Sequence, residues 1–477
     1  MIRKLTTLAV MTSLTACSMA PKYVRPAAPV PQSWPVGDAY LRTSEAALPT
    51  VRYQDIFRDQ RLQALIGQAL ANNRDLRVAA ANIAVARGQF RIQRAELFPE
   101  VDASSGATFR GGQGATGPKS SVDASVGINA FELDLFGRIR SESDAALNRY
   151  FATEAAARAT RLTMIGDIAD AWLDYASDKS LLKIAEDTAA SAQTSVDLTQ
   201  KRLNGGIAPR TDLRQAQLTL ETAKADVAQQ TTLLAQDVNA LQLLVGAPID
   251  PANLPNSIDE AGATLAELPA GLDSSILLRR PDVVEAEYQL RAANAEIGAA
   301  RAALFPKITL TGLVGFVSDA LGALFAGGAF NWQAGGAATY PIFRAGAGKA
   351  NVDVSKAQRD AAVATYEKAI QTAFREVADG LARRGTITDQ LAATRALEEA
   401  AADNYKLSDQ RYRGGIDSYL QSLDAQRSLY SAQRTLITTQ LTRASNLVTL
   451  YRVLGGDSLV EATKSGPTAA GGGSATP

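Results

Sequence analysis

Leu420, Asp424 and Arg427 stand at i, i+4 and i+7, so on a helix they share one face. An acid and a base three residues apart on such a face can pair as ions. Few other groups offer chemistry. The 477 residues include no histidine, which excludes Ser-His-Asp and Cys-His nucleophile systems and His-ligated zinc. No glycine loop of the kind that cradles phosphate is present. Nothing groups the remaining carboxylates, serines and lysines into a site. The sequence reads as that of a non-enzyme without a cofactor. Equal numbers of basic and acidic residues, 49 of each, give no reason to expect nucleic-acid binding.

The single cysteine, Cys17, closes a short leader. Arg3 and Lys4 are followed by an apolar centre from Leu5 to Leu14, too short to span a bilayer as a helix, so residues 1–16 read as a removable secretory signal. The Leu14-Thr15-Ala16-Cys17 end resembles a bacterial lipoprotein signal, which implies a diacylglycerol on the thiol of Cys17 and a mature chain beginning there. Ser18 rather than Asp follows, which points to the outer membrane. With Cys17 consumed, no thiol remains for disulfide or thiolate chemistry.

The elements that must position the Leu420 face are duplicated. Arg94-Ala95-Glu96-Leu97-Phe98-Pro99 returns as Arg301-Ala302-Ala303-Leu304-Phe305-Pro306, 207 residues on, and Phe136 returns as Phe343 at the same offset. Arg202-Leu203-Asn204-Gly205-Gly206-Ile207 matches Arg411-Tyr412-Arg413-Gly414-Gly415-Ile416, and Leu244-Val245-Gly246 matches Val453-Leu454-Gly455, both 209 residues on. A period this long is not that of a solenoid. It describes two equivalent halves.

In each half, long helices dominate. From Arg138 to Leu203 there is no proline and one glycine, Gly166, and small or apolar residues recur at steps of three and four, as in Leu162, Ile165, Ala169, Trp172 and Ala176. Such a helix reaches about 100 Å. Gly205-Gly206 ends it, and Thr211-Asp212 starts the next, which makes a tight helical hairpin that Arg413 to Ser418 repeats.

Each half also carries a pair of strands. Val101, Ala103, Ser105, Ala107 and Phe109 alternate, a Gly-rich turn spans 111–117, and alternation resumes at Val122, Ala124, Val126 and Ile128 before shifting phase at Phe131, Leu133 and Leu135. In the second half Trp332, Ala334, Gly336, Ala338, Tyr340 and Ile342 alternate. Residues 308–330 are apolar enough to suggest a membrane helix, but their glycines and their alignment with the charged first copy argue for strands. Period-two strands of about ten residues fit a membrane β-barrel. Four strands cannot close one, and lipid tolerates no open edge, so several chains must join; three would supply twelve strands.

The expected organisation is a signal at 1–16, a lipidated Pro-rich arm at 17–58 that forms no packed core, a first repeat at 59–246 and a linker at 247–275. A second repeat follows at 276–456, then a disordered tail at 457–477. Within the repeats, strands are expected at about 100–135 and 307–343, and helical hairpins at 138–246 and 345–455.

The lipobox, the following Pro21-Lys22-Tyr23-Val24-Arg25-Pro26, the duplicated Leu-Phe-Pro, Glu132-Leu133-Asp134-Leu135-Phe136-Gly137 and Tyr419-Leu420-Gln421-Ser422-Leu423-Asp424-Ala425-Gln426-Arg427 together resemble the outer-membrane factor (TolC-like) family. Within it the resemblance is to the lipoprotein branch that serves resistance-nodulation-division efflux pumps. It implies a mainly α fold with a transmembrane β-barrel portion: a homotrimer with a twelve-stranded barrel, four strands per chain, above a long α-helical barrel and a small mixed equatorial domain. It implies an exit duct in the outer membrane of a Gram-negative bacterium, working with a periplasmic adaptor and an inner-membrane pump. The tips Gly205, Gly206, Ile207, Gly414, Gly415 and Ile416 would dock the adaptor.

The resemblance also makes Leu420, Asp424 and Arg427 a periplasmic gate, with three Asp424 carboxylates around one axis. Gln421 stands where some relatives carry a second acid. The first-copy counterparts are Thr211, Gln215 and Leu218, so only the second tip would carry the gate. The competing reading, a lipid-anchored periplasmic adaptor or structural coiled coil, accounts for the hairpins but not for the strand pairs.

Overall fold

The computed structural model describes residues 18–31, 33–35, 40, 52–109, 111, 120–267, 274–325, 327–463 and 466–467. The signal at 1–16, Cys17, most of the 111–117 turn and the tail beyond Pro467 lie outside these residues. The helices are α1 (Tyr53–Ile56), α2 (Gln60–Asn72), α3 (Arg74–Ala95), α4 (Arg138–Asn204), α5 (Arg210–Val245), α6 (Ile258–Ala263), α7 (Pro281–Ala302), α8 (Ala347–Arg413) and α9 (Tyr419–Val453). The strands are β1 (Asp102–Phe109), β2 (Ser120–Glu132), β3 (Lys307–Ser318), β4 (Phe330–Thr339), β5 (Ala462–Thr463) and β6 (Gly466–Pro467). None of the described helices is long and apolar enough to cross a membrane. The apolar stretch from Ile308 is a strand, as its glycines required. The chain divides into two compact units.

One unit comprises the described residues up to Ala27 with Ala81–Glu154 and Glu285–Lys368. Its sheet runs β1-β2-β3-β4, each neighbour antiparallel. The phase shift read in the sequence is a bulge: Ile128 faces Gly312, but Phe131 faces Leu310. The extra residue is absorbed at Ala130, whose φ is 52° and whose amide donates to Thr311 Oγ1 at 3.2 Å. Just past β2, Arg138 binds Glu132 at 2.7 Å and Glu142 at 2.9 Å. Phe136 stacks on Phe305 with centroids 4.8 Å apart, so two of the duplicated landmarks meet.

The other unit comprises Ala28–Ala80, Ala155–Val284 and the residues from Ala369 on. Its buried side chains include Ile165, Ile168, Trp172 and Leu173 of α4, Phe57, Leu62, Leu65 and Ile66 around α2, Leu241 of α5 and Tyr451 of α9, and the Tyr451 ring meets Phe57 edge-on at 5.2 Å. Trp172 is fully buried, and its indole N–H donates to the Asn253 carbonyl at 3.0 Å, which removes the cost of burying that donor. Burying a side chain of this size contributes roughly 2–3 kcal/mol.

Two expectations need correction here. The arm at 17–58 is not excluded from the core: Trp34 is buried and stacks on Phe374 at 4.8 Å, and α1 places Tyr53 and Ile56 inside. A proline-rich segment cannot build a core, but it can add side chains to one built by helices. The tail does not begin at 457 either. Asp457 accepts from Arg161 at 2.7 and 2.9 Å and from Tyr451 Oη at 3.1 Å, and the Val460 amide donates to the Arg279 carbonyl at 2.9 Å. Much of the order there comes from Arg161 and Arg279, partners distant in sequence that composition does not display.

Candidate gate and tips

Both hairpin reversals are closed by the same backbone bonds. At the end of α4, Ile207 N–H donates to Arg202 O at 3.0 Å and Gly206 N–H to Leu203 O at 2.9 Å, with Gly206 at φ 73°. At the end of α8, Ile416 N–H donates to Arg411 O at 2.9 Å and Gly415 N–H to Tyr412 O at 3.0 Å, with φ 74°. This is the paired 6→1 and 5→2 helix ending, whose left-handed residue is why glycine stands there. The flanking Ile207 and Ile416 are 78% and 67% exposed.

The tips differ in side chains. Arg411 and Asp417 pair across the second reversal, which lowers the Asp417 carboxyl and raises the Arg411 guanidinium from their ordinary values. Arg413 pairs with Asp409 at 2.7 Å. Arg202, from the first hairpin, donates to the carbonyls of Tyr412 and Arg413, both at 3.1 Å, and its guanidinium lies 4.4 Å from the centre of the Tyr412 ring. A cation on those last carbonyls complements the negative end of α8.

Helix α9 opens immediately after this turn. Its buried face, Tyr419, Ser422, Leu423 and Gln426, turns inward, with Tyr419 and Leu423 clustered on Ala216 and Tyr412. Burial pushes the Tyr419 phenol up to about 12. Leu420, Asp424 and Arg427 fall on the opposite, exposed face, so the structure brings the three together as their spacing requires. Asp424 and Arg427 form no ion pair within 4.0 Å among the described residues, so the side-chain pairing allowed by their spacing is not made. Arg427 instead lines a groove of about 110 Å3 with Leu218, Thr222, Asp226 and Tyr430, and Leu218 is its own first-copy counterpart. At the foot of the groove Tyr430 Oη donates to Asp226 at 2.6 Å. The first-copy counterparts Thr211, Gln215 and Leu218 carry no charge.

Sequence reading missed an acidic ladder. Asp167, Asp170, Asp174 and Asp178 stand at steps of three and four on α4. Burial, together with Asp174 and Asp167, pushes Asp170 up to about 6, against the opposing pull of Arg452. Burial, then Asp178 and Asp174, does the same to Asp237 of α5, also to about 6. The spacing alone would have found the ladder; its desolvation needed the fold.

The duplicated hairpins and strand pairs define a class. The model of the outer membrane efflux protein family matches residues 65–247 and 272–456, and the chain belongs to that family. It is 46% identical over 451 residues to the toluene efflux pump outer membrane protein TtgC of Pseudomonas putida, with 93% of each chain covered. To the outer membrane protein OprJ of Pseudomonas aeruginosa it is 40% identical over 451 residues, covering 93% of this chain and 94% of that one. Among solved structures, the open state of the MtrE outer membrane channel of Neisseria gonorrhoeae superposes with a TM-score of 0.82 at 36% identity, covering 92% of this chain and 98% of that one. This chain is an outer-membrane efflux protein of the Gram-negative type.

Proposed function

We propose that the chain is the exit duct of a tripartite pump, a passive conduit rather than an enzyme, in which three copies close one barrel and the second tip carries the gate. The observation that carries this reading is the start of α9. Tyr419 and Leu423 anchor it inward, and Leu420, Asp424 and Arg427 are left outward on one stripe beside a reversal closed by main-chain bonds. Three such stripes around an axis would place three carboxylates together, a like-charge ring able to hold cations.

The trimer is supported by the four-stranded sheet, whose outer strands β1 and β4 each have one hydrogen-bonded neighbour, an arrangement lipid does not tolerate. It is also supported by α3, where Val78, Val85 and Ile92 repeat at seven-residue steps and are 58%, 58% and 71% exposed. Diacylglycerol on Cys17 would anchor each copy. Ile207 and Ile416, with Gly205, Gly206, Gly414 and Gly415, offer an apolar contact for a periplasmic adaptor that couples the duct to an inner-membrane pump. Single-channel recording in planar bilayers tests the gate. Leu420→Ala and Asp424→Ala should raise conductance; currents identical to wild type would remove these residues from the constriction.

A further inference from the structure

In the unit that holds the sheet, the two copies of the repeat meet along one seam, where the start of α4 packs on α7. Ala145 clusters with Ala292 and Ala295, and Arg149 pairs with Glu296. Just beyond the helices, Phe136 stacks on Phe305. Each side of this seam has a counterpart in the other copy. Helix α3 corresponds to α7 at the offset of 207, and both are 22 residues long. Helix α8 corresponds to α4 at an offset of 209, a register fixed by the turns before the helices. There Gly137 and Gly346 have φ of 75° and 87°, and their carbonyls accept from the Ser141 and Ala350 amides, both at 3.0 Å.

Carried through these registers, the seam pairs α8 with α3. Val354 stands for Ala145, and Val85 and Gly88 stand for Ala292 and Ala295. Gln358 and Gln89 replace Arg149 and Glu296, and Phe343 and Phe98 replace Phe136 and Phe305. Within one chain these counterparts stay uncovered. Ala145 is buried, but Val354 is 52% exposed, Phe98 64% and Phe343 85%, and α3 has no buried residue. The sheet repeats the pattern. Strands β2 and β3, which flank the seam in sequence, pair with each other, whereas their counterparts β4 and β1 are the two edge strands.

We propose that the face of α8 around Val354 docks on the α3 face of a second copy around Val85 and Gly88, repeating between chains the seam that joins the two copies of the repeat within one. This rests on the assembly proposed above and adds its contact surface. The shapes agree: Gly88 leaves room for the larger Val354, since a Cβ there would meet nothing within 4 Å in the single chain. The charges differ. Where the inner seam carries an Arg–Glu ion pair, the outer one carries two glutamines, whose amides can bond each other. The seam between chains is therefore neutral, and salt should not weaken it as it weakens exposed ion pairs.

Disulfide trapping of the full chain in detergent tests the pairing. Val85→Cys with Val354→Cys should yield linked dimers and trimers, with each single variant setting the background from Cys17. Val78→Cys with Val354→Cys should link at least about tenfold less, because seven helical residues shift the partner by about 10 Å, beyond the reach of a disulfide. Gln89→Glu with Gln358→Glu should weaken assembly about two- to fivefold per seam, and Gln89→Glu with Gln358→Arg should recover it in a salt-dependent way. Trimers of normal mass by light scattering that link equally from Val78 and Val85 overturn this pairing and leave the assembly standing. A folded double-glutamate protein that assembles as tightly as wild type also overturns it. Wild-type monomers at every concentration remove the assembly itself, and the pairing with it.

Discussion

Replacing Arg202 by alanine should loosen the second tip although Arg202 belongs to the first. The side chain makes two hydrogen bonds to the terminal carbonyls of α8, at 3.1 Å each, and lies over the Tyr412 ring at 4.4 Å. Partly exposed bonds of this kind contribute about 0.5 kcal/mol each at the lower end of their range, and the stacked cation contributes about 0.5–1 kcal/mol. Together they come to roughly 1.5–2 kcal/mol, which corresponds to a factor of about 10–30 in a local opening equilibrium. Hydrogen exchange reads this directly. Amides from Gly414 to Ile416 should exchange about 10- to 30-fold faster in Arg202→Ala, while Gly206 and Ile207, closed by their own backbone bonds, change little. Arg202→Lys should fall between, since an ammonium keeps the charge but not the planar fork. Unchanged exchange at the second tip, or equal acceleration at both, would refute the capping argument.

The acidic ladder gives a pH dependence. Asp170 and Asp237 both sit near 6 in the folded chain, above the ordinary value of 3.8. The folded state thus binds more protons than the unfolded state between those pH values, and stability falls as pH rises through 6. Asp170→Asn should stabilise the protein by roughly 1–3 kcal/mol at pH 7.5 and do nothing near pH 3; denaturant melts showing no gain at pH 7.5 would contradict this. Trp172→Ala should cost about 3–5 kcal/mol in the same assay, from the cavity and the lost bond to Asn253. A loss under about 1 kcal/mol would mean that the site collapses around the smaller residue.

Much of the fold was legible because its signals are local. The Gly-Gly reversals, the seam from Leu162 to Ala176 and the alternation from Val122 to Ile128 each declare their element within a dozen residues. Even the bulge showed, since Phe131 breaks the phase that Ile128 keeps. What stayed hidden depends on residues far apart in the chain. Arg161 holds Asp457, Arg202 reaches the other hairpin, and Phe374 receives Trp34. The candidate gate was half legible. Spacing put Leu420, Asp424 and Arg427 on one face, but it equally allowed an Asp424–Arg427 ion pair that the structure does not make.

Because both reversals are closed by main-chain bonds and a left-handed glycine, the exposed side chains of Ile207 and Ile416 are not what closes the turn. Ile207 and Ile416 can be exchanged for other side chains without reopening the question of whether the hairpin forms. Natural variation is therefore free to rewrite the recognition surface at each tip separately. A duplicated gene can keep one tip while it experiments with the other, so a change of partner need not risk the fold.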